Sequence, residues 1–126
     1  MTKKAADLVA EAKKKVENVT PDQLEKELAD GALVVDLRES EELAATGKIP
    51  GSVHSPRGLI EFRADPDHPY HTEGFDPDRR VILHCASGGR SALAAGTLRD
   101  LGYSNVAHMD GGITTWIEAG KPVDKD

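Results

Sequence analysis

The chain has 126 residues, one cysteine and a formal net charge of −6. That length suits one domain, and the single thiol excludes an internal disulfide or a thiolate cluster for zinc. The acidic balance argues against indiscriminate binding to nucleic acid or anionic membrane, while leaving open a small anionic substrate held by local groups. No apolar run approaches the ~20 residues of a membrane span, and the N-terminus lacks an apolar signal core. A soluble, cytoplasmic setting is expected, which a lone thiol suits.

Met1 to Asn18 reads as a helix, with Val9, Ala12, Val16 and Val19 on one face. Asp7, Glu11 and Glu17 break up the basic run Lys13-Lys14-Lys15, which has no aromatic neighbours and reads as a solvated face. Residues 1–19 are thus expected to be an accessory helix, 20–122 the domain proper and 123–126 a tail. Thr20-Pro21-Asp22-Gln23 joins a hydroxyl cap, a proline at the first helical position and a glutamine three after the cap. The helix it starts runs to Ala29, buries Leu24 and Leu28, and ends at Gly31. Ala32 to Leu37 reads as a buried strand, with Asp36 and Arg38 at its carboxyl end. Ser40 to Ala45 is a short helix stopped by Gly47. Ile49-Pro50-Gly51 then turns into an edge-like strand near Val53 and His54, and Pro56-Arg57-Gly58 opens a helical turn.

Asp65 to Asp78 is a loop of unusual length, expected to be anchored by Tyr70 and Phe75. Its aspartates and histidines show no zinc or calcium spacing, so no metal is expected there. Val81 to His84 is a buried strand, Arg90 to Leu101 a helix and Asn105 to Met109 the last strand. His84 and His108 read as packed histidines, and pleating turns His84 to the face opposite Cys85. Asp110-Gly111-Gly112 leads into a helix to Ala119, with Trp116 in the core. Strands alternating with helices predict an α/β fold with a small, mostly parallel sheet and helices on both faces.

The chemistry gathers at Cys85. It ends a strand, and in a parallel sheet that edge is where ligands bind. Ala86, Ser87, Gly88 and Gly89 are small enough to let a loop turn its N–H groups toward one point. The next helix adds its unpaired first-turn amides and the positive end of its dipole. Such a cradle holds an anion and favours thiolate as the attacking species, and Arg90 closes it with a fixed charge. No dinucleotide fingerprint, nucleotide P-loop or nucleophile elbow is present.

Cys85 to Arg90, with four residues between, resembles the active-site loop of single-domain rhodanese-type sulfurtransferases. Val34-Val35-Asp36-Leu37-Arg38 resembles that family's first core strand. Gly47-Lys48-Ile49-Pro50-Gly51-Ser52-Val53 resembles its Gly-His-Ile-Pro-Gly-Ala turn, with Lys48 replacing the histidine. Asp110-Gly111-Gly112-Ile113-Thr114-Thr115-Trp116 resembles its Gly-Gly-x-x-x-Trp segment. The resemblance covers about Thr20 to Pro122.

It implies a rhodanese-like three-layer α/β fold and a sulfurtransferase that carries sulfane sulfur as a persulfide on Cys85. Arg90 would be catalytic, with Ala86, Ser87, Gly88, Gly89 and Ser91 holding the persulfide. Asp36 and Arg38 would support the rim, and Arg57, which follows a strand end, is expected at the mouth too. No cofactor and no metal are implied. The donor would be thiosulfate or a related small anion, and the acceptor cyanide, a low-molecular-weight thiol or a protein thiol. Neither nucleic acid nor membrane is an expected partner, and the chain would be a monomer or homodimer. Two other readings stay open. One is a non-catalytic rhodanese-like interaction module. The other is a phosphatase- or arsenate-reductase-like enzyme, whose loop, by the same resemblance, has five intervening residues and a wider cradle.

Overall fold

Short apolar runs bounded by turns have no polar face to give to solvent, so they become strands covered on both sides. In the computed structural model, which describes residues 2–125, three such strands form the centre of the sheet. They are β2 (Leu33–Asp36), β4 (Val81–His84) and β5 (Val106–His108), and every residue in them is buried. β1 (Glu17–Asn18) and β3 (Val53–His54) close the two edges, giving the order β1-β5-β4-β2-β3 with all pairings parallel.

Adjacent strand residues point to opposite faces, and the core divides accordingly. Leu33, Val35, Leu83 and Cys85 pack against α4 (Ile60–Ala64) and α5 (Gly89–Asp100) through Ile60, Ala64, Ala94, Ala95 and Leu98. Val34, Ile82 and Ala107 pack against α2 (Pro21–Ala29) and α6 (Gly112–Glu118) through Leu24, Ile113 and Trp116. α1 (Ala5–Lys13) lies over α5, and α3 (Ser40–Thr46) follows the end of β2. The result is the expected three-layer α/β architecture.

The N-terminal helix is shorter than its periodicity suggests. It stops at Lys13, and Glu17–Asn18 joins the sheet beside β5; Met1 lies outside the described residues. Val16 belongs to the α5-side core and Val19 to the α2-side core, which no single helix face allows. Tertiary contacts decide the matter. Arg80 donates to the Glu17 carboxylate at 2.9 Å through both terminal nitrogens, and also binds Glu27 and Asn105. Two further expectations are corrected. Phe75 anchors the long loop, whereas Tyr70 is 63% exposed and touches His68 edge-on. Residues 123–124 are no loose tail, because Lys48 and Asp124 exchange two backbone hydrogen bonds of 2.8 Å; Asp126 lies outside the described residues.

Topology makes the site. From β2 the chain steps outward to β3, whereas from β4 it steps the other way to β5. The loops that leave these two neighbours therefore diverge, which makes their carboxyl ends the switch point of the sheet, the place where ligands of open α/β sheets bind. Asp36 pairs with His84 at that edge, so Cys85 and Arg38 emerge beside it. The β5–α6 turn presses on the same place. Ile113 N–H donates to the Cys85 carbonyl at 2.8 Å, and the Thr114 hydroxyl donates to the Ala86 carbonyl at 3.1 Å.

That close approach is why a glycine stands at 112, with a left-handed φ of 54°. A Cβ there would overlap the Cys85 carbonyl. Gly112→Ala should therefore cost about 3 kcal/mol. Thermal unfolding should show this as a melting point lower by on the order of 10 °C; an unchanged melting point would contradict the packing.

His84 is fully buried, and neither ring nitrogen has a hydrogen-bond partner among the described residues. Burial pushes its pKa down, against the opposing pull of Asp36. The unfolded chain thus takes up this proton first, near pH 6.5. The stability that neutral His84 contributes is present above that pH and is lost as pH falls. The melting temperature should drop between about pH 7 and pH 5. His84→Leu, which orphans no partner, should make that drop shallower; an equally steep drop would show that another group controls it.

Candidate active site

Cys85 follows β4 directly and its side chain is fully buried at the floor of the loop. Gly88 N–H donates to its sulfur at 3.1 Å. Gly88 is the cap residue of α5, with φ of 115°, a left-handed conformation that turns the loop back over the thiol. The sulfur therefore sits against the amino end of a twelve-residue helix. The amides of Gly89, Arg90 and Ser91 form the first turn of that helix and have no carbonyl one turn back to bind. Close approach again demands a glycine: a Cβ on Gly88 would lie 2.5 Å from Asp110 Oδ1. The Ser91 hydroxyl is 3.7 Å from Cys85 Sγ. Sulfur, the Gly88 amide, the helix end and the Ser91 hydroxyl thus lie together.

Arg90 reaches the same region, held by a partner that sequence reasoning missed. Its two terminal nitrogens donate to the two carboxylate oxygens of Glu42 at 2.8 and 2.9 Å. Glu42 lies in the first turn of α3, where an acidic residue is ordinary helix chemistry, so nothing marked it. The hydrogen bonds from Arg90 pull the Glu42 carboxyl down to about 2, outweighing burial, which acts the other way. The same bonds raise Arg90 above its ordinary value, with a further contribution from Cys85. The clamp is therefore formed at every pH above the normal carboxylate range and is lost only as pH falls toward about 2. About a third of each side chain is exposed, so the pair is worth on the order of 1 kcal/mol or less and weakens with salt.

The residues expected at the rim occupy other places. Asp36 and Arg38 are 0% and 1% exposed and lie beneath the surface. Arg38 Nε and Nη2 donate to the Asp36 carboxylate at 3.0 and 2.8 Å. Its remaining donors reach Thr46 Oγ1 and the carbonyls of Glu42 and Gly47 at 2.8, 3.3 and 2.8 Å. Burial opposes ionising Asp36, yet the hydrogen bonds from Arg38 prevail and hold its carboxyl below the usual range. This pair pins α3, and α3 carries Glu42 to Arg90; its influence on the rim is indirect. Arg57 does not reach the loop. It pairs with Glu61 at 3.3 Å, and its other terminal nitrogen lies 3.5 Å from Thr97 Oγ1 on α5, because the 3-10 turn Arg57–Leu59 faces the middle of that helix.

Two contacts from outside the loop complete the surroundings. Lys13, at the end of α1, pairs with Asp110 at 2.9 Å beside Gly88. His108 Nδ1 lies 2.8 Å from Ser91 Oγ, so this histidine has a polar partner at the site as well as a packed position.

Comparison with known proteins fits this geometry. The family model for the rhodanese-like domain matches residues 20–119. A sulfurtransferase of Allochromatium vinosum is 34% identical over 110 residues, spanning 86% of this chain and 94% of that protein. The thiosulfate sulfurtransferase GlpE of Ectopseudomonas mendocina is 33% identical over 98 residues, spanning 78% of this chain and 82% of its own. A solved structure from Rhodopseudomonas palustris, described as a protein of unknown function and possible tyrosine phosphatase, is 38% identical. It superposes with a TM-score of 0.90 over 98% of this chain and 96% of that one. With its family segments in order, its sheet and helices in the expected layers, and most of its length matched, this chain belongs to the rhodanese-like family.

Proposed function

We propose that the protein is a sulfurtransferase that carries sulfane sulfur on Cys85. The observation that carries this reading is the 3.1 Å hydrogen bond from Gly88 N–H to a lone thiol at the amino end of α5. That arrangement aims a hydrogen-bond donor and the positive end of a helix dipole at any negative charge carried on the sulfur. In the first half-reaction the Cys85 thiolate attacks the outer sulfur of thiosulfate or a related donor. A Cys–S–S bond forms, the donor S–S bond breaks, and sulfite leaves with the electron pair. The terminal sulfur inherits the negative charge and meets the first-turn amides, each worth on the order of 1–3 kcal/mol when aimed at developing charge. In the second half-reaction cyanide, a small thiol or a protein thiol attacks that terminal sulfur, and Cys85 departs as thiolate. A cytoplasmic setting suits a cysteine that must return to the thiolate after each turn. Arg90 attracts the donor and steadies the anionic sulfur, with Glu42 fixing its orientation.

Incubation with thiosulfate should add about 32 Da, one sulfur atom, which reductant removes. Cys85→Ser should lose both the adduct and thiosulfate:cyanide turnover. Hydrolysis of aryl phosphates should be negligible, since four residues between cysteine and arginine make a narrow cradle by the family's pattern. Robust phosphatase activity without a sulfur adduct would replace the reading with the phosphatase one. Neither activity would favour an interaction module.

The roles of Arg90 and Glu42 separate by substitution. Arg90→Ala should lower kcat/KM for thiosulfate by about 10- to 1000-fold, with Arg90→Lys between it and the parent, because lysine keeps the charge and loses the fork. Glu42→Gln should cost about 5-fold, the scale of one partly exposed ion pair. All three should melt within a few degrees of the parent. A Glu42→Gln variant as impaired as Arg90→Ala, and equally unstable, would make Arg90 scaffold.

A further inference from the structure

Ser91 can donate only one proton, yet three groups compete for its hydroxyl. Cys85 Sγ lies 3.7 Å away, His108 Nδ1 2.8 Å away and the Gly88 carbonyl 3.3 Å away. Cys85, Ser91 and His108 are all buried, at 0%, 0% and 1% exposure, so each hydrogen-bond direction must be set within the protein. With Cys85 as thiol, S–H donates to Ser91 Oγ, and Ser91 donates onward to the nearer acceptor, Nδ1. His108 is then the tautomer protonated at Nε2. With Cys85 as thiolate, the sulfur can only accept. Ser91 must turn its O–H toward sulfur, and its oxygen then needs a donor from the other side. Only a protonated Nδ1 supplies one.

We propose that His108 is a positioning residue for Cys85, acting through Ser91 by switching its ring tautomer as the thiol becomes thiolate. The proton count closes. The S–H proton passes to Ser91 Oγ while the Ser91 proton passes to Nδ1. Nε2 then releases its proton to solvent, leaving a thiolate, an unchanged serine and a neutral ring protonated at Nδ1. The charged groups about the ring are Asp110, on the turn after β5, and Lys13, from α1. They pair with each other at 2.9 Å and largely offset one another. Burial keeps the His108 pKa below its usual range, with Asp110 pulling it up and Lys13 pushing it further down. The ring thus stays neutral near pH 7, and a change of tautomer is the response open to it.

The proposal rests on Cys85 being the reacting thiol, yet its test needs no sulfur donor. Alkylation of Cys85 by iodoacetamide at pH 7 should slow about 5- to 10-fold in His108→Leu, the scale of one hydrogen bond between neutral groups. His108→Asn should recover most of that rate, because an amide near the Nδ1 position can donate or accept as either end state requires. In a Ser91→Ala background both His108 substitutions should change the rate by less than about 2-fold, since the connecting hydroxyl is gone. Nitrogen-15 spectra of His108 should show Nδ1 passing from acceptor to N–H as pH is raised through Cys85 ionisation, and Cys85→Ser should abolish that change. Equal effects of His108→Leu with and without Ser91 would overturn the proposal, as would a fixed tautomer. A failure to form the thiosulfate adduct with the tautomer change intact would instead sink the sulfurtransferase reading and leave this one standing.

Discussion

The arrangement of the site depends on one buried ion pair, Asp36 with Arg38. A guanidinium without water must satisfy every N–H inside the protein. Arg38 does so by gathering the Asp36 carboxylate, the Thr46 hydroxyl and the carbonyls of Glu42 and Gly47. A buried pair of this kind adds little net stability over an apolar substitute. Removing one partner, by contrast, costs about 3–5 kcal/mol, because the other charge is stranded. Its value is geometric. It fixes where the chain leaves β2, hence where α3 begins, and hence where Glu42 meets Arg90 from a different strand.

A second constraint acts from the opposite side. The β5–α6 turn binds the carbonyls of Cys85 and Ala86. With those oxygens turned toward α6, the Gly88 amide faces the sulfur. Two glycines make the approach close enough: Gly112 under the Cys85 carbonyl and Gly88 under Asp110. The loop is therefore held by its carbonyls on one side and offers the Gly88 N–H to the sulfur on the other. A donor fixed in this way need not reorient when charge appears.

Charges near the loop are arranged in pairs: Arg90 with Glu42 and Lys13 with Asp110. Both pairs are partly exposed, so each is weak and screened. The overall net charge of −6 does not set the local field, which these nearest pairs decide. The charge state of the sulfur, in turn, is tied to the interior through Ser91 and His108.

Much of this was legible in the sequence. Buried strands announced themselves as apolar runs, α2 by its capping box and the loop by a cysteine followed by four small residues. These are local signals, carried by residues within a turn of one another. Tertiary structure decided the rest, because it depends on which distant segments meet. Valines at 16 and 19 fit a helical stripe until Arg80 and the open edge of β5 drew Glu17 and Asn18 into the sheet. Glu42 looked like an ordinary helix-start acid until the β2–β4 register set Arg90 opposite it. Arg38 and Asp36 looked like rim residues, yet burial turned them into scaffold. His108 looked like packing, and only the parallel pairing of β4 with β5 brought it to Ser91. The sequence by itself determined that a tight loop of small residues would follow β4 and lead into a helix. Which side chains tune it was decided by contacts across dozens of residues, and no local pattern encodes those.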